Sequence, residues 1–347
     1  MLLCINLEIG RGHPNYLDSF LKVYPRKTLL LKKEWKIMKR LYLFGGRGGI
    51  CTKIYNRWRR RGKAPKFLLS LFRKDLEREL KGTEVVMISH PILVQILQGR
   101  CKIFYLHGEI AAPEESLVSA DQIFVPLPFT KEQFLKAGIP EERLLVSGLV
   151  MEPELVPIAE QSFQKRIKRL ERGEKLTVAF FSSGAYPRVH IKKINQAVAE
   201  IEKFDIQVFL FSGNNRRLAR YWEKRFPKAK IIFSWHREEE NKKFAEILPE
   251  LDCFVAPAHE RTNWCCGLGL PLFSLLPHIG SYAPLNYQFA YSQGVTLPLA
   301  PENFGETILK LREGGKLQEM AEKGFGKFPI DGAKRIAEKV FTLLGDS

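Results

Sequence analysis

The chain has 347 residues, of which 45% are hydrophobic and 27% are charged. This composition excludes a disordered or collagen-like chain, and the length allows two domains of ordinary size. The net charge is +17, and the segment from Lys22 to Lys81 carries +16 of it, from 20 Lys/Arg against 4 Asp/Glu. An excess of positive charge that is confined to one segment predicts contact with an anionic partner.

Cysteine spacing and the N-terminal stretch point to a cytoplasmic chain. The six cysteines lie at positions 4, 51, 101, 253, 265 and 266, and no spacing among them fits a zinc site or a disulfide framework. Residues 1–7 are apolar, but they are few, follow no basic residues and precede Glu8, so we expect no signal peptide. No apolar run is long enough to span a bilayer.

The first half of the chain alternates buried strands with helices. The first strand, Leu2–Leu7, leads into the turn Gly10-Arg11-Gly12-His13 and a helix. Glycines in such a turn let a ligand approach the backbone closely. Two later strands end at His90 and at His107-Gly108-Glu109. Because the carboxyl ends of parallel strands share one edge of a sheet, these side chains are expected on one surface.

Bulky apolar and basic residues alternate over residues 34–63, with four glycines in the middle. Aromatic rings at head-group depth and nearby cations are typical of an element that lies on an anionic membrane. A pair of solvated basic helices packed on the core remains an alternative, and so does RNA binding. The residues expected to contact the membrane are Trp35, Arg40, Tyr42, Phe44, Arg57, Trp58, Arg59, Arg60 and Arg61.

The second half begins after a linker and connecting helix predicted over residues 151–172, and it forms a further β/α domain over 173–347. Polar turns follow its predicted strands at Ser182–Tyr186, at Gly213-Asn214 and at His236. Residues 251–294 read as strand, polar loop, helix, strand and helix, which predicts parallel pairing. The polar loop holds His259, Glu260, Arg261, Thr262 and Asn263, at the edge where ligands bind open parallel sheets.

Several short motifs resemble one glycosyltransferase family, which holds the peptidoglycan lipid-intermediate N-acetylglucosaminyltransferase and the mono- and diglycosyldiacylglycerol synthases. They are the Gly10–His13 turn, Glu84–Gln95 with its His-Pro, residues 124–148, Leu210–Leu218 and the 251–294 block. The family's donor helix carries Thr-x-x-Glu, whereas this chain has Cys265 at the Glu position and offers Glu260 as a substitute. The family also has an Asn in the next loop, and this chain has Asn286 at that position.

The resemblance implies a GT-B fold, in which two Rossmann-like β/α domains face a central cleft. It implies an inverting transferase that moves a sugar from a nucleotide-sugar, expected to be UDP-linked, to a membrane-lipid or lipid-linked acceptor at the inner face of the cell membrane. The first domain, residues 1–150, would bind the acceptor. Catalytic candidates are His13, His107 and Glu109, with His13 preferred as the base; acceptor candidates are Gly10, Gly12 and His90; donor candidates are Ser183, Gly184, Arg188, Gly213, Asn214, His236, Glu260, Arg261, Thr262, Asn263 and Asn286.

No Asp-x-Asp occurs in the sequence. We therefore expect no metal and no other cofactor, with helix N-termini and cations, Arg188 and Arg261 among them, neutralising the leaving diphosphate. Two other functions fit the same motifs. One is a GT-B sugar-nucleotide epimerase, and the other is a non-catalytic binding protein with this fold.

Overall fold

The protein is described by a computed structural model that covers residues 2–8, 12–59, 66–77, 79–80 and 82–345. Gly10, Arg60 and Arg61, which were among the predicted site residues, lie outside the described residues. Within that part of the chain, no helix combines the length and apolar character that crossing a membrane requires.

The first domain is built on a six-stranded parallel sheet of order β2-β1-β3-β4-β5-β6. Strand β1, which lies next to the edge strand β2, has every residue buried, as expected for a parallel strand covered on both faces. The elements are β1 Leu2–Leu7, α1 Gly12–Val23, β2 Leu29–Lys33, α2 Lys36–Gly45, α3 Gly49–Arg59, α4 Lys66–Glu77, β3 Val85–Ile88, α5 Pro91–Leu97, β4 Lys102–Leu106, β5 Gln122–Val125, α6 Pro128–Lys136 and β6 Leu144–Val146.

The second domain has its own six-stranded parallel sheet, of order β12-β11-β10-β7-β8-β9. The elements are α7 Ala159–Glu171, β7 Thr177–Phe181, α8 Arg188–Ile201, β8 Gln207–Gly213, α9 Arg216–Arg225, β9 Lys230–Phe233, α10 Arg237–Ile247, β10 Cys253–Ala256, α11 Thr262–Gly267, β11 Leu272–Ser274, α12 Tyr282–Ser292, β12 Thr296–Pro298, α13 Phe304–Glu313, α14 Lys316–Gly324 and α15 Gly332–Leu343. The predicted strand and helix order of residues 251–294 is therefore confirmed, as is the pair of Rossmann-like domains.

The packing of two helices bears on the predicted domain limits. Helix α7, predicted as the connecting helix, packs on the second domain, where Arg166 donates to the carbonyls of Leu251, Leu268 and Gly269. The second domain was also expected to run to residue 347. Instead α15 packs on the first domain, where its apolar face lies against Tyr16 and Phe20 of α1.

Hydrogen bonds and ion pairs hold the two domains together along one side of the cleft. Arg237 at the start of α10 binds Glu8 and Asp18 of the first domain. Deeper, the Glu152 carboxylate accepts from Asn15 at 2.8 Å and from the indole of Trp264 at 3.0 Å. Because these groups are buried or half-buried and paired, they favour one arrangement of the domains.

Candidate functional site

The strand ends of both sheets meet at the cleft between the domains. From the first domain come the residues that follow β1, β3 and β4, and from the second come the turns after β7, β8, β9, β10 and β11. Among the cavities that the described residues border, two lie in the cleft, an outer chamber of about 770 Å³ and an inner chamber of about 90 Å³. Tyr42 and Gly184 line both, so the two chambers are neighbours.

The inner chamber brings together residues predicted for three different roles. It is lined by Gly12, His13, His90, Glu109, Ser183, Gly184 and Glu260, together with Tyr42, Trp58 and Arg59. Sequence order separates these residues by up to 248 positions, and only the meeting of two sheet edges places them around one cavity. His259, Ser281 and Tyr282 complete the wall from the second domain.

Glu109 and Glu260 form a pair of carboxyl groups across the domain boundary. A Cβ placed on Gly12 would lie 3.4 Å from Glu109 Oε1 and 3.2 Å from Glu260 Oε2, so both carboxyl groups border the same point. A side chain at position 12 would fill this space, which gives the glycine of the predicted turn a steric reason. Burial, with the nearby charge of Glu260, raises the pKa of Glu109 to about 8.

The histidines of the site are poor bases in this setting. Burial lowers the pKa of His13 to about 3, and the nearby His107 and Arg59 act in the same direction. His107 does not line either chamber. Its Nδ1 lies 3.1 Å from the Tyr105 hydroxyl and its Nε2 lies 3.3 Å from the Ala111 carbonyl oxygen, so both ring nitrogens have protein partners.

Three buried nitrogen atoms on the inner chamber wall have no hydrogen-bond partner among the described residues. They are His13 Nδ1, Arg59 Nε and His259 Nε2. Native proteins rarely leave buried polar atoms unpaired, because each costs about 1–3 kcal/mol. Because the three residues that carry these atoms all line the inner chamber, it is a candidate site for a polar ligand.

The outer chamber collects other residues from the predicted donor set. Gly184, Asn214 and His236 line it, next to the exposed ring of Trp235. Tyr186 also lines it, and its hydroxyl donates to Asn214 at 3.2 Å. Gly213, which ends β8, does not line the chamber and has the positive φ of 54° that lets the chain turn there.

Five predicted donor residues lie elsewhere. Arg188 is exposed outside both chambers. Arg261 is buried beneath the wall, where it pairs with Glu260 at 2.9 Å and its guanidinium carbon lies 4.6 Å from the centre of the Phe181 ring. Thr262, Asn263 and Asn286 are fully buried behind the inner chamber.

Two of these buried residues connect the domains instead of lining the cavity. Asn263 donates to the carbonyl of Gly108 at 3.1 Å. Asn286 donates to Glu109 Oε2 at 2.6 Å and accepts from the amide of Ala111 at 2.9 Å. Both were predicted as donor ligands because the sequence shows the loop but not the depth of each side chain.

Helices α2 and α3 of the first domain cover the inner chamber, and we call residues 36–59 the lid. The lid rests on the second domain. Asn56 donates to the carbonyl of His278 at 2.9 Å and accepts from the amide of Gly280 at 2.8 Å. These contacts join the basic segment of the sequence directly to the candidate site, which the sequence did not predict.

Three of the four aromatic residues predicted to enter a membrane, Trp35, Tyr42 and Trp58, point inward instead. Trp35 is buried, stacks on Phe72 with ring centres 3.8 Å apart, and its indole donates to Asp75 at 3.2 Å. Tyr42 and Trp58 line the chambers, Phe44 is half-buried, and Arg59 forms an ion pair with Glu115. Amphipathic helices bury their larger apolar side against the core, which explains the difference.

The lid leaves other residues on its outer face. Ile37, Ile50 and Ile54 are exposed by 43%, 74% and 55%, whereas Leu43, exposed by 46%, lines the outer chamber. The same two helices also carry the exposed cations Arg40, Arg47, Lys53 and Arg57. Isolated exposed aliphatic residues are ordinary, but these helices expose apolar and basic residues together.

The sequence matches no protein-family model and no curated protein. Solved structures are similar over the whole chain. UDP-GlcNAc 2-epimerase from Neisseria meningitidis, bound to UDP-GlcNAc, has a TM-score of 0.64 at 11% identity, covering 98% of this chain and 99% of that one. The UDP-GlcNAc 2-epimerase of Methanocaldococcus jannaschii, in complex with UDP-GlcNAc and UDP, has a TM-score of 0.58 at 14% identity, covering 99% of this chain and 100% of that one.

Acinetobacter baumannii MurG, a glycosyltransferase, gives a TM-score of 0.58 at 11% identity, covering 98% of this chain and 99% of that one. These proteins share the GT-B fold, and the likeness shows that this chain has it too. At such identities the similarity establishes the fold alone. Transferases and epimerases both occur among the similar structures, so the fold does not choose between them.

Proposed function

We propose that the chain is a glycosyltransferase that binds a UDP-sugar between its domains and transfers the sugar to a lipid-borne hydroxyl group. The observation that carries this proposal is the inner chamber, where Glu109 and Glu260 from opposite domains face each other beside unpaired nitrogen atoms. Similar structures were solved with UDP-GlcNAc or UDP bound, which supports a nucleotide-sugar as the ligand.

In this proposal the nucleoside occupies the outer chamber and the sugar the inner one. The outer chamber has the larger volume and offers the exposed Trp235 ring with the hydrogen-bonding groups of Asn214 and His236. The inner chamber is small and has the carboxyl groups. Ser183 and Gly184 lie where the chambers adjoin, which suits the diphosphate that joins the two parts of the donor.

Glu109 is the group best suited to remove the acceptor's proton. As the acceptor oxygen attacks the anomeric carbon, its proton passes to Glu109 and the bond to the nucleotide diphosphate breaks. A base works best when its pKa lies near the working pH, and the pKa of about 8 for Glu109 meets this condition. The pKa of about 3 makes His13 a much weaker base. We therefore propose Glu109 as the base in place of His13, which the sequence favours.

Asn286 positions the proposed base. Its amide donates to Glu109 Oε2 at 2.6 Å, so it orients the carboxyl group and stabilises its charged form. Ala258 also accepts from the same amide through its carbonyl, at 3.2 Å. The second domain thus holds the base that the first domain supplies, and the base is in place only when the domains are together.

We further propose that the outer face of the lid docks on an anionic membrane surface. The exposed Ile37, Ile50 and Ile54 would enter the interface, and Arg40, Arg47, Lys53 and Arg57 would attract anionic head groups. The inward positions of Trp35, Trp58 and Arg59 remove them from this role. Such docking would place the lid, and the chamber beneath it, next to a lipid acceptor.

Epimerisation of the nucleotide-sugar is the second candidate. Two carboxyl groups that border the same point of the inner chamber could remove a proton from one face of a sugar carbon and return one to the other face. UDP-GlcNAc 2-epimerases are among the similar structures, which keeps this candidate open.

Product analysis distinguishes the two functions. The protein is incubated in deuterated buffer with UDP-sugars, with and without vesicles of anionic bacterial lipid, and products are identified by NMR and mass spectrometry. Transfer predicts UDP and a glycosylated lipid, formed only when vesicles are present. Epimerisation predicts a second UDP-sugar that carries deuterium at the inverted carbon and forms without vesicles. That result would contradict the transferase proposal.

A further inference from the structure

Arg59 is the only Lys or Arg side chain among the described residues that lines the inner chamber. It lies at the end of α3, on the lid. Its Nη2 donates to Glu115, while its Nε is buried without a hydrogen-bond partner among the described residues. Two carboxyl groups, Glu109 and Glu260, line the same chamber. The chamber therefore combines one cation with an unused donor and two acidic groups.

The second domain fixes the position of this arginine. One turn earlier on α3, Asn56 makes the two hydrogen bonds to His278 and Gly280 described above. Glu115, the partner of Arg59, also accepts from the Ser281 hydroxyl at 2.6 Å. Arg59 thus lies beside the first turn of α12, an 11-residue helix whose first N–H groups have no partner within the helix.

The cations expected from the sequence cannot serve a ligand in this chamber. Arg188 is exposed at the start of α8, outside both chambers. Arg261 is enclosed by Glu260, Glu240 and the rings of Phe181 and Trp264. A diphosphate leaving group has to be neutralised by cations and N–H donors as its charge develops.

We propose that Arg59 binds the diphosphate of the donor through its free Nε while Nη2 stays on Glu115. This inference rests on the proposed function, because it names the residue that recognises the anionic part of the nucleotide. The arginine comes from the lid of the first domain, whereas most of the proposed nucleotide site belongs to the second. A diphosphate held by Arg59 therefore also holds the lid against the second domain.

The test compares UDP with uridine, which lacks the diphosphate. Both are titrated calorimetrically into the full-length wild type, R59Q and R220Q. Arg220 is exposed on α9 and lines neither chamber, so R220Q removes the same charge away from the site. R59Q is expected to weaken UDP binding by about tenfold to a hundredfold, because one charge-assisted hydrogen bond is lost, and to leave uridine affinity unchanged. R220Q should match the wild type for both ligands.

R59K keeps the charge in case R59Q does not fold, and it should bind UDP more tightly than R59Q but less tightly than the wild type. Equal UDP affinity in the wild type, R59K and R59Q overturns this inference and leaves the proposed function standing. An equal loss of UDP and uridine affinity in R59Q also overturns it, because the arginine would then act on the whole site. A wild type that binds neither UDP nor a UDP-sugar overturns the proposed function itself.

Discussion

The Asn286 amide of the second domain donates to the Glu109 carboxylate of the first at 2.6 Å. This contact joins two residues 177 positions apart and connects the α12 helix to the loop after β4. Because the hydrogen bond favours the charged form of Glu109 while burial opposes it, the basicity of this group depends on both domains being in place.

The pH dependence of turnover should follow the ionisation of Glu109. The carboxyl group acts as a base only when deprotonated, and its pKa is raised to about 8. We expect kcat/KM to rise tenfold per pH unit below about 8 and to level off above it. A steady-state profile between pH 5 and 9.5 checks this. A profile that is flat across pH 8 would exclude Glu109 as the base of the free enzyme.

Removing the Asn286 hydrogen bond should move that profile. Asn286→Ala deletes the donor that lowers the pKa of Glu109, so the rising limb should shift to higher pH. The value of kcat at high pH should fall less than kcat/KM at pH 7. A loss that is the same at every pH would instead indicate a packing role for Asn286. Asn195→Ala, on the distant helix α8, serves as a control for amide removal.

The buried Glu109 carboxyl group should destabilise the folded protein as the pH rises. Its pKa is raised from 4.5 to about 8, so the folded state keeps a proton that the unfolded chain loses. Any stabilising effect of the protonated group is complete below pH 4.5 and is lost as the pH approaches 8. The melting temperature of E109Q should therefore rise relative to that of the wild type as the pH increases from 5 to 9. The corresponding change in the free energy of unfolding is at most about 1.4 kcal/mol per unit of pKa shift. Thermal unfolding monitored by circular dichroism tests this, and a constant difference across the range would contradict it.

Vesicle binding should depend on the outer face of the lid. Ile50 and Ile54 are its most exposed aliphatic residues, and changing both to Ser should remove the salt-resistant part of binding. Changing Arg47 and Lys53 to Gln should weaken binding to anionic vesicles and affect neutral ones little. Lys310→Gln with Lys334→Gln removes two exposed charges elsewhere and should leave binding unchanged. Cosedimentation at low and high salt provides the measurement, and equal binding by all variants would refute the docking proposal.

Periodicity and strand-end residues were enough to predict the two parallel sheets. The turn at Gly12, the His-Pro at His90 and the loop at Glu260 were correctly expected at sheet edges, because parallel strands place their carboxyl ends together. The same reasoning could not tell which face of each loop lines a cavity. Asn263 and Asn286 follow the polar loops, as ligands do, yet they are buried as bridges between domains.

The inward positions of the lid residues could not be predicted from the sequence for a related reason. Its composition of Trp, Tyr and Arg fits a membrane interface as well as it fits the cover of a polar cavity. Only the docking of α3 on the Gly280 loop shows that Tyr42, Trp58 and Arg59 face inward. Similarly, a pKa of about 3 for His13 follows from burial between two domains, which no local motif encodes.

Comparing E109Q with H13A tests the central claim most directly. UDP release is measured for both variants and the wild type at pH 8, with saturating UDP-sugar and anionic vesicles that contain the acceptor lipid. UDP binding by calorimetry confirms that each variant retains its nucleotide site. The account predicts that E109Q loses at least about a hundredfold in kcat and that H13A loses considerably less. Turnover that persists in E109Q and disappears in H13A would contradict it and return the role of base to His13.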